Sequence, residues 1–196
     1  LNKAYFFRSN NQLDSAATYF TKSLKYYEKD TLNNLKNKIN IYSGLASIYR
    51  LTSNKKKQLE YLNKYLKVSR KANDSYKIGA ALNNLGVFYD NDKQPKLALE
   101  NFKEALQYKL RKKNRNSVLQ NIGSIYLNYY NNIDSASYYN KKAINQFTSK
   151  RTLAYLHKDL AIIAKRSKNY TKENQELLLA LQNINQDNFV EFELQL

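Results

Sequence analysis

Apolar residues in this chain recur at three- and four-residue intervals, in stripes separated by short polar runs. The clearest stripe is Leu82, Leu85 and Tyr89, with Gly86 beside it. A polar turn, Asp90-Asn91-Asp92-Lys93-Gln94, interrupts it and is closed by Pro95. A second stripe follows through Ala98, Phe102 and Ala105. Spacings of three and four place each set on one helical face. Proline suits the first turn of a helix, where its missing N–H costs nothing. The stretch is therefore predicted to be helix, turn, helix.

The same unit recurs along the chain. Leu119, Ile122, Gly123 and Tyr126 repeat the first stripe, and Asp134, Ala136, Ala143 and Ile144 mark the helix behind it. An earlier copy has Tyr42, Leu45, Ala46 and Tyr49, then Leu59, Leu62, Tyr65 and Leu66. A later one has His157, Leu160, Ala161 and Ala164, then Leu177, Ala180 and Leu181. At the beginning, Ala4 and Phe7 precede Ala16, Phe20, Ser23 and Leu24. A small residue on each first helix lets two helices approach, and large apolar residues fill the space around it. One hairpin leaves an apolar face open, which the next hairpin covers.

This small-and-large pattern resembles the tetratricopeptide repeat over essentially the whole chain. The resemblance implies an all-α, right-handed α-α superhelix, a solenoid of about five helical hairpins. The array is expected to run over 1–186, with repeats at 1–31, 32–73, 74–113, 114–149 and 150–186. Residues 187–196 read as the start of a further helix. The small residues Ala4, Ala46, Gly86, Gly123 and Ala161 lie further apart than the ~34 residues of the consensus unit. Longer units of this kind resemble those of bacterial signalling proteins. There are departures: Asn140 stands where an aromatic is expected, and Gln58 and Glu173 replace the small residue of the second helix.

Composition narrows the class. With 4 Gly and 1 Pro in 196 residues, the chain lacks the turn residues of an all-β protein. No Cys is present, which excludes disulfides and thiolate metal sites. No apolar run reaches the ~18–20 residues needed to cross a bilayer, so no membrane insertion is expected within this segment. The chain opens inside a predicted helix and is read as an excised segment. Its net charge of +17 comes from 33 Lys+Arg against 16 Asp+Glu, and Lys supplies 26 of the cations. Lysine is the weaker of the two for planar phosphate recognition. A solvated basic surface is the simpler reading, with a nucleic-acid-binding repeat protein as the alternative. The densest run holds Lys109, Arg111, Lys112, Lys113 and Arg115, read as closing one helix, whose dipole it complements, and entering the next repeat. It is the candidate basic surface.

Catalytic chemistry has no foothold. His157 is the single histidine and falls on a packing stripe. The four glycines are scattered and build no phosphate loop. Metal sites and cofactors are not expected, and neither is enzymatic activity. Asp14-Ser15, Asp30-Thr31, Asp74-Ser75 and Asp134-Ser135 each fall at a predicted helix start, where a side-chain oxygen can accept from an orphan backbone N–H.

In proteins of the resembled family the first helices line a groove. The resemblance places candidate peptide-binding residues on the face away from the packing stripe. They are Asn40, Ser43, Ser47 and Arg50, then Asn83, Asn84, Val87 and Asp90, then Gln120, Asn121, Ser124 and Asn128, then Lys158, Asp159, Ile162 and Lys165. The set is rich in amides and hydroxyls, which suit the main chain of an extended peptide. Asn84 and Asn121 match the place of the asparagine that grips a peptide backbone in carboxylate-clamp members. Lys158 is compatible with such a clamp, whereas Ser43 and Ser47 depart from it. A protein or peptide partner is expected, and nucleic acid is disfavoured. The implied role is the sensory or interaction region of a larger bacterial protein, a histidine kinase or transcriptional regulator. The resemblance favours the periplasmic side of a membrane-anchored sensor slightly over the cytoplasm.

Overall fold

The computed structural model describes residues 1–27, 31–144 and 148–185, and every regular element in them is helical. Ten α-helices follow one another: α1 (Asn2–Ser9), α2 (Leu13–Leu24), α3 (Leu32–Leu51), α4 (Lys55–Lys71), α5 (Ser75–Asn91), α6 (Pro95–Ala105), α7 (Lys112–Asn128), α8 (Ile133–Ala143), α9 (Lys150–Arg166) and α10 (Tyr170–Asn185). A short 3-10 turn, Lys25–Tyr27, follows α2. Each odd-numbered helix packs on the even-numbered helix after it, and each hairpin packs on its neighbours in the chain. The architecture is an all-helical solenoid.

Helix ends are set by local chemistry. Thr31, Asn54, Asp74, Asn132 and Ser149 each accept a hydrogen bond from the backbone N–H three residues on, worth about 1 kcal/mol apiece. Two of the expected caps, Thr31 and Asp74, are among them. Asp14 and Asp134 instead lie within the first turns of α2 and α8, where their charge complements the helix dipole. Asp30 lies outside the described residues. Pro95 occupies the first turn of α6, as predicted. Ile144 falls just past the end of α8 and is exposed.

The turn inside each hairpin holds one residue in the left-handed region: Asn11, Ser53, Lys93, Asn131 and Lys168. None of these is glycine. All four glycines lie within helices, at points of close approach. A Cβ on Gly86 would stand 2.6 Å from the ring of Phe102, and one on Gly44 would stand 2.6 Å from the ring of Phe20. Gly86 and Phe102 join the two helices of one hairpin, whereas Gly44 and Phe20 join successive hairpins. Both rings are fully buried, each contributing about 1.5–3 kcal/mol by transfer from water.

The core is strung along the array. One cluster joins Phe20 of α2 to Ile41, Leu45 and Ile48 of α3. A second runs from Ile39 and Leu62 through Tyr65 to Leu82, Leu85 and Phe88. A third places Phe102 of α6 against Val118, Ile122 and Ile125 of α7. Polar bonds pin successive hairpins at the surface: Lys55 Nζ lies 2.7 Å from Asp92 Oδ1, and Arg70 Nη2 lies 2.7 Å from Glu104 Oε1. His157 packs between α9 and α10, its Nδ1 2.7 Å from Glu176 Oε2.

Candidate functional site

The odd-numbered helices line one face of the stack, and their side chains frame two troughs. The first, about 400 Å³, is lined by Arg8 of α1, by Ser43, Ala46, Ser47 and Arg50 of α3, and by Asn84 and Val87 of α5. Gln58 and Leu62 of α4 complete its lining. The second, about 810 Å³, begins at Val87, Asp90 and Asn91 and crosses Lys113, Ser117, Gln120, Asn121 and Ser124 of α7. It ends on Ser149, Arg151, Thr152 and Tyr155 at the start of α9. Val87 belongs to both. A smaller recess, about 460 Å³, shares Asp90 and Ser124 with the second trough and adds Lys93, Asn128 and Tyr129.

Ten of the candidate groove residues are thus brought together: Ser43, Ser47, Arg50, Asn84, Val87, Asp90, Gln120, Asn121, Ser124 and Asn128. Others stand apart. Asn40 accepts from Lys77 Nζ at 3.3 Å, tying α3 to α5. Asn83 is turned inward, and its Oδ1 is buried with no hydrogen-bond partner among the described residues. Lys165 Nζ reaches Glu173 Oε1 of α10 at 3.9 Å. Lys158 and Ile162, like Lys165, line neither trough. A trough needs a first helix on each side, and the described residues contain no first helix beyond α9.

Asp159 is buried beneath the second trough. Ser124 Oγ donates to its Oδ2 at 2.5 Å, and Gln120 Nε2 donates to Ser124 Oγ at 2.9 Å. Asn140 Nδ2 lies 3.5 Å from the same carboxylate oxygen. Burial pushes the Asp159 carboxyl up to about 6, against the pull of hydrogen bonds from Ser124, Asn140 and Gln120 and of the charge on Lys158. Burial also raises Asp90, opposed by the Lys93 charge and a hydrogen bond from Tyr129. Asp159 is therefore an internal anchor for the trough floor and not an exposed ligand contact.

The basic run differs from expectation. α6 ends at Ala105, so Lys109 and Arg111 lie in the connection, while Lys112, Lys113 and Arg115 open α7. Cations in a first turn oppose the helix dipole instead of complementing it. Arg115 Nη1 donates to the Leu106 carbonyl at 3.2 Å, and Lys113 lines the second trough. Sequence reading also missed Arg8 and Arg151. Arg8 follows Ala4 by four residues, as Arg50 follows Ala46, so its place was readable from the repeat register. Arg151 follows the cap Ser149, outside the stripe used to choose groove positions.

Among the described residues, no group of three or more His, Asp or Glu converges as a metal site, and no helix is long and apolar enough to cross a membrane. Residues 79–111, which span most of α5 and all of α6, match the family model described as tetratricopeptide repeat. That hairpin is a tetratricopeptide repeat, and the other hairpins share its fold. No curated protein matches it in sequence. Its tetratricopeptide fold is similar to that of BtubC (BKLC) from P. vanneervenii, at 18% identity over 96% of this chain and 80% of that one, with a TM-score of 0.76. It is similar to MamA at 15% identity, over 98% and 94% of the two chains, with a TM-score of 0.66. It is also similar to YrrB, described as a TPR protein with an unusual peptide-binding site, at 20% identity over 94% and 84%, with a TM-score of 0.62. At such identities the likeness is one of fold.

Proposed function

We propose that the chain is a protein-interaction module whose joined troughs hold an extended segment of a partner protein by its main chain. One observation carries this reading. Asn84 and Asn121 stand in successive repeats, one in each trough, and neither side chain is engaged in a hydrogen bond among the described residues. Each amide offers a donor and an acceptor, which is what an extended backbone presents in return. The tetratricopeptide fold is typically a non-enzymatic scaffold, and YrrB, of the same fold, is described as having a peptide-binding site. A displayed library of random peptides, selected on the chain and counter-screened against the double variant Asn84→Ala, Asn121→Ala, tests the reading. Binders that prefer the unaltered chain support it. Binders indifferent to both substitutions place recognition elsewhere.

We further infer that the module is the sensory or interaction region of a larger bacterial signalling protein, a histidine kinase or transcriptional regulator, on the periplasmic side of a membrane-anchored sensor. The long spacing between the small residues Ala4, Ala46, Gly86, Gly123 and Ala161 supports this. A complete reading frame without an output domain would remove it.

A further inference from the structure

We propose that the segment held in the troughs is acidic, with two anionic patches separated by about nine residues, an inference that rests on the peptide-binding reading above. Five cations line the troughs and the recess beside them: Arg8, Arg50, Lys93, Lys113 and Arg151. Among the described residues, the only carboxylate lining them is Asp90. The chain as a whole has 33 cations to 16 acids, so the troughs are more one-sided than the average surface.

Four of the five fall into two groups, and Lys93 lies in the turn after α5. Arg8 and Arg50 sit in the last turns of α1 and α3, four residues beyond the equivalent small residues Ala4 and Ala46. Lys113 and Arg151 sit in the first turns of α7 and α9. The odd-numbered helices run in the same direction, because two reversals separate each from the next. The two groups therefore stand at opposite rims, on a diagonal across the face. From Arg50 to Lys113 the path crosses two helix spacings of about 9 Å and about fifteen residues of helical rise at 1.5 Å each. The diagonal is about 30 Å, which an extended chain covers in about nine residues. Between the groups lie Asn84 and Asn121, placed to hold the intervening main chain.

Lys113 stands in the first turn of α7, where a cation opposes the helix dipole, and lines the second trough. An anionic segment in that trough offsets the cost. The arrangement favours a peptide over a nucleic acid. A single-stranded nucleic acid asks for a continuous basic track and aromatic platforms. Here four of the five cations stand in two separated groups, and among the described residues Tyr155 is the only aromatic lining the two troughs. Tyr49, Tyr61, Tyr126 and Tyr139 instead stack on one another in pairs.

Fluorescence anisotropy with short labelled peptides tests this. The probes carry two Glu-Glu pairs, set about nine or about three residues apart on a degenerate neutral background. The controls replace Glu by Gln, replace Glu by Lys, or substitute an oligothymidylate of equal charge. The widely spaced acidic probe is expected to bind at least tenfold tighter than its Gln counterpart and several-fold tighter than the closely spaced one. Arg50→Glu with Lys113→Glu is expected to reverse the preference toward the Lys probe. Both sites are exposed, and circular dichroism checks that the variant folds, with Arg50→Gln and Lys113→Gln as the milder pair. Equal binding of the Gln and Glu probes, both weakened by Asn84→Ala with Asn121→Ala, would overturn the acidic inference and leave the peptide groove standing. If no peptide binds, both readings fall. Tighter binding of the oligothymidylate would overturn the proposal in favour of nucleic acid.

Discussion

Asn140 packs its side-chain amide onto the bare Cα of Gly123, where any added Cβ would overlap it. In the preceding hairpin the ring of Phe102 rests on Gly86 in the same manner. The shorter Asn140 brings a polar group to a place that Phe102 fills with carbon. Asp159, from the next repeat, folds in beside it. An interaction internal to one hairpin has become a polar junction between two.

Gly86→Leu is expected to destabilise the stack by about 1–3 kcal/mol through overpacking. The Phe102 ring has no space to retreat, being fully buried, and the clash outweighs the roughly 0.5–1 kcal/mol regained by removing a helical glycine. A fall in the urea midpoint measures it. An unchanged midpoint would show that the two helices do not meet at this point.

Asp159 gives the protein a defined pH response. Its folded value, about 6, lies above the ordinary 3.8. The folded state therefore holds a proton that the unfolded chain has released between these values. Stability falls as pH rises from about 4 to about 6, and the cost is complete above that range. At about 1.4 kcal/mol per unit the cost is on the order of 3 kcal/mol. Asp159→Asn removes the charge and keeps an acceptor oxygen for Ser124. It is expected to raise the denaturation midpoint at pH 7, with the gain shrinking toward zero at pH 4. A gain that is the same at both pH values would contradict the assignment.

Lys168 adopts a φ of 56° in the turn between α9 and α10. L-residues with a Cβ are strained there by roughly 1–2 kcal/mol. Glycine escapes that strain, at some cost in unfolded-chain entropy, and a β-branched residue increases it. The midpoints are expected in the order Lys168→Gly, unaltered chain, Lys168→Val, from highest to lowest. The opposite order in a thermal melt would refute a left-handed turn.

Asn84→Ala with Asn121→Ala is expected to weaken a groove-bound peptide by about one to two orders of magnitude, each lost hydrogen bond costing about 0.5–1.5 kcal/mol. Helical content should be unaffected, because neither amide takes part in a hydrogen bond among the described residues. Titration calorimetry on a selected peptide provides the comparison.

The hairpins were legible because close packing imposes a period: Gly86, Leu85 and Phe102 announce the unit, and Gly123 with Ile122 repeats it. Gly44 escaped notice because its contact, Phe20, lies in the preceding hairpin, while Ala46 already supplied the small residue within its own. The groove was legible where register alone decides which side faces out, as for Ser47, Asn84 and Gln120. Register fails at Asp159, because a carboxylate turns inward only when a partner such as Asn140 leaves room for it. It fails at Lys112 and Lys113 because the point at which α6 stops depends on a connection with no glycine or proline to mark it. The expected helix at 187–196 lies outside the described residues.

Among the described residues each hairpin leans chiefly on its immediate neighbours along the chain, and no strong contact ties the first helices to the last. Loaded in tension from its two ends, such a chain has no single latch whose failure releases the whole. It should pay out length in steps, one hairpin or a few at a time, and rewind readily, since sequence-local contacts re-form fast. A segment lying diagonally across α3, α5 and α7 would bridge three such units at once and act as a splint, raising the force at which the middle of the array gives way.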